Sequence, residues 1–268
     1  MTRYLTAARL HELAAALTQR DFAVLQRVAG LRFMSGAQLT RLCFADGDDA
    51  LANARAARRV LLRLTRLAVL DRLPRPVGGV RAGSAGFVYH LGIGGQRLAV
   101  MRGWQPERRR RRSLSPGTLF VRHALQVAEL HVELTEGDRS RRFELLELTP
   151  EPSCWRSYDG NGEQRLTLKP DSYVRLGIGA YEHSYFVEVD RGTEGSRALE
   201  RQMQLYVRYH RAGREQQHGV FPKVLWTAAS DQRVGVIAAC VARLPAASRV
   251  LFQVARFDEA LNVMVADE

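Results

Sequence analysis

Three carboxylates lie within a short stretch of the chain, at a spacing suited to binding a divalent metal ion. Asp171 follows Pro170 at the start of one apolar segment, and Glu188 and Asp190 flank Val189 in the next. Adjacent strands would bring Asp171 close to Glu188, and the two-residue period of a strand puts Glu188 and Asp190 on the same face. Because Mg²⁺ prefers oxygen ligands of this kind, magnesium is the expected cofactor of such a site.

Metal-dependent cleavage of a phosphodiester also uses a cation close to the attacking water. A nuclease of this type would carry that cation, a lysine, where Asp190 stands. Lys169 lies two residues before Asp171, so a continuous strand would place it on the same face as Asp171. Lys169 is therefore the predicted substitute, and Arg191 is a poorer one because it points to the opposite face.

The C-terminal half resembles the PD-(D/E)XK nuclease fold in its predicted order of helix, three strands, helix and strand. Pro170–Asp171 matches the first motif, and Glu188–Val189–Asp190 stands where the family has its acid-X-lysine motif. The resemblance implies catalytic roles for Asp171, Glu188, Asp190 and Lys169. It implies metal binding by Glu129, Asp171 and Glu188, with Glu129 on the first helix. Gln202 and Tyr206 match the Q-x-x-x-Y spacing of one exonuclease branch.

Three interpretations of this candidate site fit the sequence. In the first, the protein is a Mg-dependent DNA endonuclease or nickase that uses Lys169. In the second, the site binds metal without effective hydrolysis. In the third, the fold is a binding platform whose carboxylates form salt bridges, with Arg191 and Arg197 as partners.

The positive charge of the chain is concentrated in its N-terminal half. The net charge is +12, and residues 1–112 hold 21 Arg against seven Asp or Glu, whereas the remainder holds 19 basic and 21 acidic residues. Cationic side chains that neutralise phosphates release condensed counterions, so this half is predicted to bind a polyanion such as double-stranded DNA.

Hydrophobic periodicity in that half predicts helices at Thr6–Leu17, Arg20–Leu31, Gly36–Cys43 and Ala50–Ala68, followed by a β-hairpin. Ser35 is the predicted N-cap of the third helix. The last three of these helices and the hairpin are in the order of a winged helix-turn-helix, whose third helix, here Ala50–Ala68, enters the major groove. The predicted DNA-binding residues are basic side chains of the last helix and of the hairpin tip: Arg55, Arg58, Arg59, Arg63, Arg75 and Arg81.

The expected fold class is therefore α+β, with a winged helix-turn-helix followed by an α/β PD-(D/E)XK endonuclease-like domain. A segment with five consecutive arginines, Arg108 to Arg112, lies between prolines and predicts a basic linker or a DNA-tracking arm. The predicted domains are residues 1–103, a linker at 104–118, and residues 119–268.

The chain as a whole also resembles the bacterial replication-relaxation proteins of plasmids and integrative elements. "EVDRGTEG", at Glu188–Gly195, is the most specific part of this resemblance. It implies a DNA-binding role in replication or mobilisation, with relaxosome or replication proteins as partners and a homodimer as one assembly. The alternative is a non-enzymatic winged-helix transcriptional regulator whose second domain mediates dimerisation or partner binding.

Composition limits the remaining classes. No apolar run approaches the roughly 18 residues that a membrane span requires, so no membrane partner is predicted. The three cysteines, Cys43, Cys154 and Cys240, match no zinc spacing or disulfide framework. A reducing cytoplasm is the predicted location.

Overall fold

A computed structural model gives the protein a mixed α and β structure, as the sequence predicted. It describes residues 6–45, 47, 49–73, 86–104, 116–159, 165–215 and 219–266. The chain divides into two compact units, Met1–Val132 and Glu133–Glu268. This division lies inside a helix, whereas the sequence predicted a boundary at residues 104–118, most of which lie outside the described residues. No helix in the described part of the chain is long and apolar enough to cross a bilayer.

Helices and a small sheet form the first unit. Its elements are α1 (Ala7–Ala15), α2 (Gln19–Leu31), β1 (Met34–Ser35), α3 (Gly36–Cys43), α4 (Ala50–Arg66), β2 (Leu70–Arg72), β3 (Val88–Leu91), α5 (Ile93–Met101) and the first part of α6 (Thr118–Arg139). β3 pairs antiparallel with both β1 and β2, so β3 lies in the middle of the sheet.

Side-chain caps fix where the helices of the first unit begin. Thr18 and Asp21 form a capping box at α2, and Ser35 and Gln38 form another at α3, which confirms the predicted Ser35 cap. Asp49 accepts hydrogen bonds from the first amides of α4. Each cap satisfies amide groups that the helix itself leaves unpaired, which stabilises the start by about 1 kcal/mol.

Helix α5 was missed by the sequence prediction, because its glycine-rich start, "GIGG", gives a weak helical signal. Those glycines allow a close approach of two backbones. A Cβ atom at Gly92 would lie 2.5 Å from the Ala68 carbonyl oxygen, and one at Gly95 would lie 2.1 Å from that of Val69. The glycines therefore serve the packing of α5 against the segment before β2.

The second unit is built on a five-stranded sheet. Its elements are β4 (Glu144–Pro150), β5 (Arg156–Asp159), β6 (Arg165–Leu168), β7 (Ser172–Ile178), β8 (Tyr181–Val189), α7 (Ser196–Arg211), β9 (Lys223–Ala228), α8 (Asp231–Ala242), α9 (Ala246–Arg249), β10 (Phe252–Arg256), a 3-10 helix (Phe257–Glu259) and α10 (Ala260–Val265). The strand order is β10-β9-β8-β7-β4.

Strand direction changes along this sheet. β4, β7 and β8 are antiparallel neighbours, whereas β9 runs parallel to β8 and β10 runs parallel to β9. α7 is the crossover between β8 and β9, and α8 lies within the crossover between β9 and β10. A buried cluster joins the sheet to both helices through Phe186, Tyr206, Trp226 and Ile237.

One prediction about these strands was wrong. Lys169 and Asp171 were expected on one continuous strand, but the chain forms β6 and β7 with a break at residues 169–171. β6 pairs with β5 in a separate two-stranded sheet, whereas β7 belongs to the large sheet. Pro170 has no amide hydrogen to donate to a strand ladder, which is consistent with a break at this point.

Candidate functional site

The β7–β8 pairing places Asp171 next to Glu188. Ser172 pairs with Val187, so the residues one step further out, Asp171 and Glu188, lie across from each other. The Asp171 amide donates to the Val187 carbonyl at 3.0 Å, and Asp171 Oδ2 accepts the Val189 amide at 2.7 Å. The Asp171 carboxylate is therefore held against the end of β8.

Glu188 lies below the surface and is held by α7. Only 5% of the residue is exposed, and its carboxyl group accepts hydrogen bonds from Tyr206 and Gln202. Burial, followed by the negative charge of Asp171, raises the pKa of Glu188 well above its ordinary range despite those two hydrogen bonds. Glu188 therefore keeps its proton to a higher pH than an exposed glutamate does.

Asp190 forms a salt bridge with an arginine of α8. Arg233 donates to the two carboxylate oxygens of Asp190 at 2.6 and 2.8 Å. The Asp190 side chain is 4% exposed and that of Arg233 is 16% exposed. Hydrogen bonding to Asp190 accordingly raises the pKa of the Arg233 guanidinium further.

The same pair holds the turn that follows β8. Asp190 accepts the Gly192 amide at 2.8 Å, and Arg233 donates to the Glu194 carbonyl at 2.8 Å. Gly192 has a φ of +74°, which favours glycine. The segment "EVDRGTEG" thus contains the end of β8 and the start of the connection to α7, which Asp190 and Arg233 hold in place.

Lys169 lies in the break between β6 and β7, so it does not share a continuous strand with Asp171. Its ammonium group lies 5.0 Å from the centre of the Trp155 ring, a cation–π contact. Nearby, the Cys154 thiol donates to the Pro170 carbonyl at 3.1 Å, and burial raises the pKa of that thiol to about 12. The structure therefore gives Lys169 a contact with Trp155.

Glu129 is placed in the first unit, where it contacts α3. Its carboxylate accepts hydrogen bonds from Gln38 at 2.9 Å and from Arg41. Gln38 also donates to the Leu125 carbonyl at 2.8 Å. These bonds fasten α3 to α6. Among the described residues, no group of three or more His, Cys, Asp or Glu side chains is arranged to hold a metal ion.

The predicted DNA-binding arginines of α4 fall into two groups. Arg55, Arg58 and Arg59 are exposed, whereas Arg63 donates to both oxygens of Asp21 at 2.6 Å. Asp21 is fully buried, and Thr18 also donates to it. Burial alone would raise the pKa of Asp21, but the hydrogen bonds from Arg63 and Thr18 lower it overall.

Arg66 belongs with the exposed group. At 3.6 residues per turn, Arg55, Arg59 and Arg66 lie within about 40° of one another around the axis of α4. Leu51 and Leu62 are 66% and 40% exposed and occupy the same side. We call Arg55, Arg58, Arg59 and Arg66 the α4 basic face. The remaining predicted arginines, Arg75 and Arg81, lie outside the described residues.

Sequence reasoning missed Arg233, which lies 43 residues after Asp190. It favoured Arg191 and Arg197 as carboxylate partners instead. An arginine two residues into a helix carries no sign of a partner at the end of a distant strand. The Gln202 and Tyr206 spacing, by contrast, was a usable signal, because residues four apart on a helix share one side.

Comparison with known proteins gives one match. The model of the replication-relaxation family matches residues 25–224, which is most of the chain. No curated protein and no solved structure is significantly similar to this chain. The matched range includes the helices of the first unit from within α2 onwards and extends to the start of β9. The chain belongs to the replication-relaxation family.

Proposed function

We propose that this protein binds double-stranded DNA through its first unit, in the replication or mobilisation of a plasmid or integrative element. We propose further that its second unit has a PD-(D/E)XK nuclease-like core that does not hydrolyse DNA. The α4 basic face is the observation that carries the DNA-binding proposal, and membership of the replication-relaxation family supports the replication context.

The topology of the first unit supports the use of α4 in DNA binding. The order α2, β1, α3, α4, β2, β3, with β3 between β1 and β2, supports the proposal of a winged helix-turn-helix. In that arrangement α4 is the helix that enters the major groove. Exposed arginines there can contact guanine edges or phosphates, since a guanidinium suits both.

The topology of the second unit supports a nuclease-like core. The antiparallel β4, β7 and β8, then α7 and the parallel β9 follow the order that the resemblance implies after its first helix. The helix before β4 is α6, which is divided between the two units. The β5–β6 hairpin is an insertion between the first and second of these strands. We propose Asp171 and Glu188 as the counterparts of the two strand acids.

The contacts of these acids argue against hydrolysis. Glu188 is buried and bound by Tyr206, Asp190 is bound to Arg233, and Lys169 contacts Trp155. Mg²⁺ needs several free oxygen ligands, preferably charged ones. The side chains at this site do not fit a magnesium ion in this arrangement, so we assign them a structural role and derive no metal-dependent step.

The DNA-binding proposal is tested by fluorescence anisotropy of the full-length protein with duplex DNA across a range of salt concentrations. Replacement of Arg55, Arg59 and Arg66 with Ala should weaken binding and reduce the salt slope by about 0.9 for each phosphate that the variant no longer neutralises. The matched control replaces three exposed arginines elsewhere: Arg9, Arg165 and Arg214. Equal behaviour of the two triple variants would contradict the placement of the interface on α4.

The absence of hydrolysis is tested separately, with supercoiled plasmid in Mg²⁺ or Mn²⁺ and with calorimetric titration of both ions. We expect no nicking and no saturable heat of binding. Nicking that disappears in Asp171→Ala would refute the structural assignment and establish an active nuclease. Metal binding without nicking would establish the second of the three interpretations.

A further inference from the structure

A groove on the second unit lies between α7 and the C-terminal part of α8. Its volume is about 740 Å³, and its floor includes Leu205, Cys240 and Leu244. The walls carry four arginines: Arg197, Arg201 and Arg208 of α7, and Arg243, which directly follows α8. None of the carboxylates of the candidate site lines it.

Three of these arginines form a stripe along α7. Arg197, Arg201 and Arg208 are exposed and lie within about 40° of one another around the helix axis. At 1.5 Å per residue they extend over about 16 Å. The opposite side of α7 carries Leu199, Met203 and Tyr206, which are fully buried, so packing fixes the direction of the stripe.

The charge of the stripe is not compensated within the described structure. Glu200 is the acidic residue of the groove, and it is bound to Arg243 at 2.6 Å. Arg197, Arg201 and Arg208 form no ion pair with a carboxylate in the described ranges. Three guanidinium groups on one groove wall are therefore available to an anionic ligand.

The sequence around the groove differs in charge from the rest of the unit. Residues 195–250 carry nine Lys or Arg and three Asp or Glu, whereas residues 133–194 carry eight and 13. The positive charge is thus concentrated in the part of the chain that forms α7 and α8. A concentration of this kind is typical of a surface that binds a polyanion.

We infer that the α7–α8 groove is a second DNA-binding surface, which takes the phosphodiester backbone of a duplex. A guanidinium fork matches phosphate oxygens, and a row of arginines along a helix matches a linear series of phosphates. Single-stranded DNA is bound chiefly by aromatic side chains that stack on bases. The groove is lined by arginine, aliphatic and other non-aromatic side chains, so the duplex backbone fits it better.

This inference extends the proposed DNA-binding function to the second unit, but it predicts a separate contact. The test uses the full-length protein with Arg201→Ala and Arg208→Ala combined. The control combines Arg165→Ala with Arg214→Ala, which removes the same charge from exposed sites outside the groove. Both variants should keep the melting temperature of the parent protein, because the four side chains are on the surface.

The groove variant should bind every duplex sequence more weakly by a similar factor, and its salt slope should fall by about 2. The control should retain the slope of the parent. Combining the groove variant with Arg55→Ala and Arg59→Ala should lower the slope further than either pair alone. Weaker binding by the groove variant but not by the α4 variant would refute the α4 interface and leave the groove inference standing.

Two results would overturn the inference. The first is an unchanged duplex affinity and salt slope in the groove variant. If that variant also binds polyglutamate more weakly than the parent protein, the groove would instead be assigned to an acidic protein segment. The other is a reduced affinity confined to single-stranded oligonucleotides, which would refute the duplex assignment.

Discussion

Tyr206 donates its hydroxyl hydrogen to Glu188 Oε1, and both residues are buried. Gln202, one turn earlier on α7, bonds the same carboxyl group. The Glu188 carboxyl group therefore connects β8 to α7. The consequences of this contact for stability can be measured.

Replacement of Tyr206 with Phe removes the donor and keeps the ring in the core. We expect the free energy of unfolding to fall by about 1–3 kcal/mol, because the Glu188 oxygen loses a buried partner. Urea unfolding followed by tryptophan fluorescence measures this. Tyr158→Phe is the matched control, since its hydroxyl makes only a 3.5 Å contact with the Leu205 carbonyl. Equal destabilisation of the two variants would contradict a special role for Tyr206.

The raised pKa of Glu188 predicts a pH dependence with a definite sign. Between the ordinary value of 4.5 and the raised value, the folded state holds a proton at Glu188 that the unfolded state has released. The contribution of Glu188 to the free energy of unfolding is therefore fully present below about pH 4.5. It is lost as the pH rises through the pKa that Glu188 has in the folded protein. Unfolding free energies of the parent and of Glu188→Gln, measured from pH 5 to 8, should differ by an amount that changes with pH, and the parent should become less stable relative to the variant as pH rises. A difference that stays constant would refute the raised pKa.

The Asp190–Arg233 pair predicts strong coupling in a double-mutant cycle. Arg233→Ala leaves a buried carboxylate without its partner and should cost about 3 kcal/mol. Asp190→Asn with Arg233→Ala should cost less than the sum of the single changes, because no buried charge remains. Thermal and urea unfolding of the four proteins give the coupling energy. Additive effects would show that the two side chains act independently.

Two arginines of α4 should behave in opposite ways. Arg63→Ala leaves the buried Asp21 carboxylate without its cationic partner and should destabilise the protein by about 3 kcal/mol. Arg59→Ala should leave the melting temperature nearly unchanged and weaken DNA binding. Measuring both properties for both variants separates the two roles. If the Arg63→Ala protein is as stable as the parent and binds DNA more weakly, Arg63 belongs to the DNA-binding surface.

Local signals in the sequence predicted much of the first unit. Ser35 and Gln38 mark the start of α3, and the predicted Gly36–Cys43 helix has the observed bounds. The exposed and buried sides of α4 follow from helical spacing. The Arg63–Asp21 bond did not, because it joins residues 42 positions apart and depends on how α2 packs against α4.

In the second unit too, the sequence predicted elements but not the contacts between residues far apart in the chain. Alternation predicted the strand that carries Glu188 and the strand that begins directly after Asp171. The partners of the carboxylates were not predictable. Arg233 and Tyr206 reach them only because α7 and α8 cover one face of the sheet, and that arrangement follows from tertiary packing.

The Asp190–Arg233 pair also limits which substitutions the end of β8 can tolerate. Asp190→Lys alone would set a second cation against Arg233, and replacement of Arg233 alone would strand a buried carboxylate. Each single change thus gives a less stable protein. Selection for stability alone would therefore keep these two residues together.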